Sequence, residues 1–273
     1  MNRIDARFKR LAERGQPAFI PYITAGDPTL ETTREIVLEL ERAGADIIEL
    51  GVPFSDPIAD GVVNQEAAQR ALKHHVTLRD VVGLVRTLRA ETEIPLLLFT
   101  YYNPVLAYGV AALAEDCRNA GVDGVLCVDL PPGEDPDYKR CLDEKGIATV
   151  FLAAPTSTPD RLEIIAKNST GFVYYVSRTG VTGERASMDQ SVYAMVCEIR
   201  KHTTIPVAVG FGISSPAHAA EVAGYADGVI VGSAIVRVVG QCGESPDTAR
   251  RVGEFVRPLV EATKSRNVDA GVR

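Results

Sequence analysis

Two carboxylates lie close together in the segment ELGVPFSDPIADG (49–61): Glu49 inside a short apolar run with Ile47, Ile48 and Leu50, and Asp60 in a turn-rich loop ahead of Gly61. Ionised carboxylates are rarely buried without partners, because leaving water costs them several kcal/mol or more. A Glu near the end of a buried strand therefore has a reason to be there. Acid–base catalysis is the leading one, and a structural ion pair with an Arg is the alternative. Asp60-Gly61 also reads as an ordinary turn signal.

A second group of residues suits an anion. GFGISSP (210–216) and IVGSAIV (230–236) are glycine-rich turns that follow apolar runs, and Ser233 stands where a short helix could begin. Helix N-termini and nests of backbone N–H groups hold phosphates without a lysine. Capping of helices by Ser214, Ser215 and Ser233 is the plainer reading of the same residues. Between these regions runs a long polar loop, SRTGVTGERASMD (177–189), in which Thr182 and Gly183 either help bind the phosphate or belong to a lid.

Other chemistries are poorly served. The seven lysines (Lys9, Lys73, Lys139, Lys145, Lys167, Lys201 and Lys264) all fall on expected helices or their ends. A Schiff-base aldolase needs one in an apolar pocket. The four histidines are too scattered for a metal site. Five cysteines, odd in number and without CxxC pairs, suggest reduced thiols in a cytoplasmic protein. A net charge of −7 disfavours nucleic acid or an anionic membrane as partner. No apolar run reaches the roughly 18–20 residues needed to span a bilayer, and the N-terminus lacks the apolar core of a secretory signal. What remains is acid–base work by carboxylates on a small phosphorylated molecule, without metal or cofactor.

The elements that must position these residues alternate along the chain. Strand-like runs at 18–25, 46–51, 94–101, 124–129, 148–153, 172–177, 206–210 and 228–232 are separated by helical patterns at 29–43, 64–72 with 77–90, 109–120, 134–145, 159–167, 189–201, 215–223 and 246–263. Several runs are apolar throughout, as expected of strands covered on both faces. Eight parallel βαβ units close into a barrel at about 250 residues. The expectation is therefore an α/β fold: one (β/α)₈ TIM barrel over residues 1–265, with extra short helices and a polar, frayed tail at 266–273. Ile4, Phe8 and Leu11 at helical spacing predict an N-terminal helix capping one end. AGADIIELG (43–51), AGVDGVLCVD (120–129) and AGYADGVIVGS (223–233) repeat one design, in which Gly44, Gly121 and Gly224 would end a helix in the left-handed conformation. A doubly wound sheet is disfavoured by the missing GxGxxG turn after the first strand. In such barrels the active site forms at the C-terminal ends of the strands, with the phosphate usually held after strands seven and eight. Glu49, Asp60 and both glycine-rich turns would share that mouth.

These residues resemble the alpha subunit of tryptophan synthase over roughly residues 1–265. The resemblance rests on AFIPYITAGDP (18–28), ELGVPFSDPIADG, SRTGVTG (177–183), GFGISSP and VGSAIV (231–236), in that order. It implies a lyase that cleaves indole-3-glycerol phosphate to indole and glyceraldehyde 3-phosphate. Glu49 would be the general acid–base and Asp60 the carboxylate that receives the indole N–H, with Tyr174 beside them. Thr182, Gly183, Phe211, Gly212, Gly232 and Ser233 would form the phosphate site, and Tyr22, Thr100, Tyr102, Val128 and Leu152 the indole pocket. It also implies an α₂β₂ complex with a beta subunit that carries pyridoxal phosphate and receives the indole. Asp56, Pro57 and Asn103 are then interface candidates, and this chain itself carries no cofactor. Tyr22 in place of the more usual Phe, Asn64 in place of an apolar residue, and His74-His75 in a turn depart from the family pattern. Rival readings are a stand-alone lyase that releases indole, another phosphate-sugar isomerase or aldolase on the same barrel, and a non-catalytic barrel that only activates a partner.

Overall fold

A computed structural model describes residues 1–177, 185–210 and 212–265, over 185–189 by the backbone alone. The apolar runs fold as short strands: β1 (Ala18–Thr24), β2 (Ile48–Gly51), β3 (Leu96–Thr100), β4 (Gly124–Cys127), β5 (Ala148–Val150), β6 (Leu152–Ala153), β7 (Val173–Val176), β8 (Val207–Gly210) and β9 (Gly228–Val231). The helices are α1 (Arg3–Glu13), α2 (Leu30–Arg42), α3 (Val62–Leu72), α4 (Leu78–Leu88), α5 (Tyr102–Tyr108), α6 (Val110–Ala120), α7 (Pro136–Glu144), α8 (Pro159–Asn168), α9 (Arg185–Arg200), α10 (Pro216–Ala223), α11 (Ser233–Cys242) and α12 (Thr248–Lys264). The sheet order β5-β4-β3-β2-β1-β9-β8-β7-β6 has only parallel neighbours. Its two ends, β5 and β6, are one strand interrupted at Phe151, so chain continuity closes the barrel into eight staves. Residues 266–273 lie outside the described residues.

Alternation along each strand sorts side chains into two cores. Phe19, Ile23, Ile48, Leu50, Leu98 and Val209 face outward into the layer shared with the helices. Ala18, Ile20, Ile47, Leu97, Leu126, Val150, Phe172, Tyr174, Ala208 and Ile230 face the barrel interior. The floor of that interior is closed by α1, whose Ile4, Phe8 and Leu11 are buried in it. Phe8 packs on Phe172 with ring centroids 5.7 Å apart. Glycine makes the fit possible: a Cβ on Gly124 would stand 2.7 Å from Leu97 and 3.0 Å from Ile4.

The echoed segments acquire a physical meaning at this floor. Asp46 donates its N–H to Phe19 O (2.9 Å) and accepts Phe19 N–H on Oδ2 (2.8 Å). Asp123 makes the same pair of bonds to Leu96 (3.0 and 2.9 Å), and Asp227 to Val207 (2.9 and 2.9 Å). A fourth copy has no echo in the sequence: Thr170 N–H donates to Thr149 O (2.9 Å), and Thr170 Oγ1 accepts Thr149 N–H (2.7 Å). Each bond pair joins an even-numbered stave to the odd one before it and satisfies a backbone donor where the sheet begins. The three aspartates are also ion-paired: Asp46 with Lys264 and Arg7, Asp123 with Arg89 and Arg3, Asp227 with Arg200.

One expectation for these turns is corrected. Gly44 (φ +101) and Gly121 (φ +84) take positive φ as expected, whereas Gly224 (φ −59, ψ −30) continues the helical turn. The third echo has an extra residue between Gly and Asp (AGYAD against AGAD and AGVD), so its return to the sheet needs no left-handed residue at that point. His75 supplies a positive φ without glycine (φ +57) at the exposed end after α3.

Replacing Asp123 with Ala leaves the Leu96 N–H unsatisfied and strands the mostly buried Arg89. The expected loss is about 3 kcal/mol of unfolding free energy, with Asp123→Asn losing clearly less. Urea denaturation measures both; a loss under about 1 kcal/mol for the alanine variant would show that the bonds at the barrel floor are not structurally important.

Candidate active site

The short strand β2 turns Ile48 and Leu50 outward, which leaves Ile47 and Glu49 facing the interior. Glu49 is fully buried, and neither carboxylate oxygen has a hydrogen-bond partner. Burial alone pushes its carboxyl well above the usual carboxylate range, favouring the protonated form. Two tyrosines are its charge neighbours. Tyr22, paired in register with Glu49, and Tyr174 are each driven above the ordinary phenol value, chiefly by burial and further by the charges of both Glu49 and Asp60.

Asp60 lies in a contrasting environment. The Tyr101 hydroxyl donates to Asp60 Oδ2 at 2.9 Å and accepts the Ala59 N–H at 3.0 Å, fixing the loop and the carboxylate together. Asp60 N–H bonds Pro57 O (3.0 Å), and Gln65 from α3 bonds the Asp60 carbonyl (2.9 Å). Burial raises the Asp60 carboxyl, and Tyr101 and Asn64 oppose that rise. The Tyr101 hydroxyl is itself raised by burial and by Asp60. Both carboxyls are raised by burial, but only Asp60 has donors that oppose the rise, so their environments push the two pKa values apart.

Tyr101 was not singled out by sequence, and β3 is where the expected pocket residues need correction. Leu97 and Phe99 point inward, so alternation makes Tyr101 the next inward residue. Thr100 faces the other way, fully buried, with its hydroxyl on the Tyr101 carbonyl (3.2 Å). Tyr102 begins α5, donates to Asp135 and sets its ring edge-on to Tyr138 at 6.3 Å. A one-residue slip in a strand exchanges its faces, and counting in twos from Leu97 gives Phe99 and Tyr101.

Tyr22, Phe99 and Tyr174 form an aromatic wall, with centroids 5.2 Å apart for Tyr22 and Phe99 and 6.5 Å for Phe99 and Tyr174. Val128 and Leu152 pack at the same interior cluster. Both tyrosine hydroxyls depend on missing side chains: a Cβ at Gly51 would stand 2.1 Å from the Tyr22 oxygen, and one at Gly210 2.4 Å from the Tyr174 oxygen. The hydroxyl that distinguishes Tyr22 from Phe thus occupies room left by Gly51.

A cavity of about 590 Å³ opens beside this wall, bordered by Gly61–Asn64 of the Asp60 loop and α3, and by Gly210, Gly212, Gly232, Ser233 and Arg237. Gly212 takes a positive φ (+36). Gly232 is the N-cap of α11, and no side chain bonds the first turn of that helix. Ser215 by contrast caps α10 by accepting the His218 N–H (3.3 Å). The plain capping reading thus holds for Ser215, while Gly232 and Ser233, at the start of α11, border the cavity, and a helix N-terminus is where backbone N–H groups can meet an anion. Thr182, Gly183 and Phe211 lie outside the described residues. At the rim, Asp56 and Asn103 are exposed and Pro57 is half-buried, near the exposed Ile58 and Leu106. Among the described residues, no cluster of three or more His, Cys, Asp or Glu could hold a metal ion.

The fold and this cavity define a (β/α)₈-barrel protein with a buried carboxyl, a second carboxyl nearby in the following loop and an uncapped helix end at its C-terminal mouth. Residues 8–264 match the family model described as tryptophan synthase alpha chain. The tryptophan synthase alpha chain of Geotalea uraniireducens (strain Rf4) is 48% identical over 265 residues, covering 97% of this chain and 99% of that one. That of Geotalea daltonii is 51% identical over 237 residues, covering 87% and 90%. Among solved structures, tryptophan synthase subunit alpha from Legionella pneumophila str. Paris superposes with a TM-score of 0.89 at 37% identity, covering 96% of this chain and 98% of that one. The chain belongs to the tryptophan synthase alpha chain family, a family of carbon–carbon lyases that cleave indole-3-glycerol phosphate in L-tryptophan biosynthesis.

Gly210→Ala forces the Tyr174 ring to move in a packed interior, where overpacking costs about 1–3 kcal/mol. Thermal unfolding and steady-state turnover are expected to fall together. Adding Tyr174→Phe, which removes the clashing oxygen, restores part of the stability; a double variant no more stable than Gly210→Ala would remove the steric account.

Proposed function

We propose that Glu49 is the acid–base group of indole-3-glycerol phosphate cleavage and that Asp60 stabilises the charge it creates. Protonated Glu49 gives its proton to C3 of the indole, which places positive charge on the ring nitrogen. Asp60, whose rise on burial is opposed by Tyr101 and Asn64, accepts the N–H in its ionised form and lowers the energy of that cation. The carboxylate left on Glu49 then takes the proton of the adjacent glycerol hydroxyl. The C3–carbon bond breaks, its electrons return to the ring, and indole and glyceraldehyde 3-phosphate separate. General acid–base catalysis of this kind contributes about 10²–10⁴-fold. Tyr174 orders the carboxyl against the aromatic wall, and the α11 end with Gly212, Gly232 and Ser233 holds the phosphate, together with Thr182, Gly183 and Phe211. The observation that carries this reading is a fully buried Glu49 with no donor, in a barrel whose rim offers a helix N-terminus without a side-chain cap.

The same reading gives the chain a partner. The exposed apolar Ile58 and Leu106, beside Asp56, Pro57 and Asn103, form a surface for a tryptophan synthase beta subunit in an α₂β₂ complex. Pyridoxal phosphate belongs to that subunit, which takes up the indole. No helix among the described residues is long and apolar enough to cross a membrane, and the cytoplasm is the compartment proposed. Turnover of indole-3-glycerol phosphate with and without the beta subunit separates this assignment from a stand-alone lyase.

Glu49→Gln is expected to abolish cleavage while leaving the fold intact; retained turnover within a few-fold would remove Glu49 from its role. Its effect on stability has a defined sign. The unfolded chain ionises Glu49 near the ordinary value of 4.5, whereas the fold holds the proton to higher pH. Native stability is therefore undiminished below pH 4.5 and is eroded as pH rises from there toward the folded value. Glu49→Gln escapes that erosion, so at pH 7 it is expected to be more stable than the native chain, with the gap closing near pH 4; urea denaturation at the two pH values checks this, and a difference that does not change with pH would remove the account. Ser233→Asp places a negative charge against the substrate phosphate; KM is expected to rise at least about tenfold, and an unchanged KM would place the anion elsewhere.

A further inference from the structure

We infer that Arg237 is a substrate-binding residue that supplies the counter-charge for the phosphate and makes the site selective for a dianion. The inference deepens the lyase reading above and rests on it. The cavity at the barrel mouth is lined, among the described residues, by glycines, aliphatic and aromatic groups, one amide, two serines and a single charged side chain, that of Arg237.

Its position follows from helix geometry. Arg237 lies four residues after Ser233 on α11, so the two share a face, and helical side chains lean back toward the N-terminus. The guanidinium is thereby directed at the end of the helix where Gly232 and Ser233 border the cavity. The remaining faces of α11 are committed to packing: Ile235, Val236 and Val239 are buried, and Val236 joins Tyr22 and Ala67. Most arginines near the barrel ends are bound to carboxylates, as Arg70 is to Asp27 (2.8 Å) and Arg89 to Asp123 (2.7 Å). Arg237 is exposed and has no carboxylate in ion-pair reach among the described residues. Among the described residues it is the one charged side chain lining the cavity, on a chain of net charge −7.

The helix end and its N–H groups offer about half a positive charge. Arg237 adds a full one. Against a dianion several Å away in a wet mouth, a unit charge is worth about a factor of ten in affinity, and salt screens it. Its contribution is to binding and to discrimination between phosphorylated and unphosphorylated substrates, with no part in proton transfer.

The test is a charge series, Arg237→Lys, Arg237→Gln and Arg237→Glu, in the full chain with the beta subunit present. KM for indole-3-glycerol phosphate is expected to rise about tenfold in Arg237→Gln, or about 1.4 kcal/mol, and about a hundredfold in Arg237→Glu, and to stay within about threefold in Arg237→Lys. The differences shrink between about 20 and 300 mM salt. KM for indoleglycerol, which lacks the phosphate, stays constant across the series. A flat series for the phosphorylated substrate, or an equal rise for indoleglycerol, overturns the assignment. Binding of inorganic phosphate to the full chain, followed by calorimetry, needs no turnover: weakening along the series without any cleavage by the native chain would sink the lyase reading and keep the role of Arg237.

Discussion

The space inside an eight-stave barrel is fixed by its geometry and is just wide enough to be filled by side chains. Every large inward residue therefore needs a small one opposite, and that constraint shapes this molecule from floor to mouth. At the floor, Gly124 and Gly171 leave room for Leu97 and for Ile4 of the capping helix. At the mouth, Gly51 and Gly210 leave room for the hydroxyls of Tyr22 and Tyr174. A Cβ at Gly232 would meet Tyr22 Cβ at 3.5 Å and its ring at 3.6 Å, so the N-cap of α11 lies next to the aromatic wall. The glycines that admit the tyrosines and those that border the helix end belong to one packing solution. The proposed acid–base pair and the proposed anion site are thus held at a fixed separation.

Charge is distributed along the barrel axis in two different ways. At the floor, Asp46 and Asp123 are buried with cations and with backbone donors. Such carboxylates are fully committed and serve the fold. At the mouth, Glu49 has no donor and Asp60 has one strong hydroxyl partner. A buried group left short of partners is unfavourable for stability, which is why the proposed chemistry is placed at this end of the barrel. Carboxylates are committed to the fold at one end and left short of donors at the other, and the difference lies in the groups around them.

Much of this was legible in the chain. The alternation of apolar runs and amphipathic segments gave the eight staves, and the spacing of Ile4, Phe8 and Leu11 gave the floor helix. Glu49 and Asp60 stood out because a carboxylate in an apolar run violates a strong solvation rule. Strand β3 is harder to phase: LLLFTYYNP is apolar or aromatic at nearly every position, so composition does not tell Thr100 and Tyr102 from Phe99 and Tyr101, the pair that faces inward. Gly224 followed the wording of its echo, but one inserted residue altered the turn. Thr170 carries no echo in the chain because a hydroxyl there replaces the carboxylate of its three counterparts.

The bonds at Asp46, Asp123, Thr170 and Asp227 recur at every second stave and so divide the cylinder into four equivalent wedges, each two strands and their following helices. A wedge carries its own internal clasp, which makes it a natural module for exchange. Recombination between related barrels at wedge borders would cut none of these clasps, whereas a crossover within a wedge would separate an acceptor from the strand it fastens. Chimeras divided on even boundaries should then tolerate shuffling that odd boundaries do not, a trace of how such a cylinder can be assembled from smaller pieces.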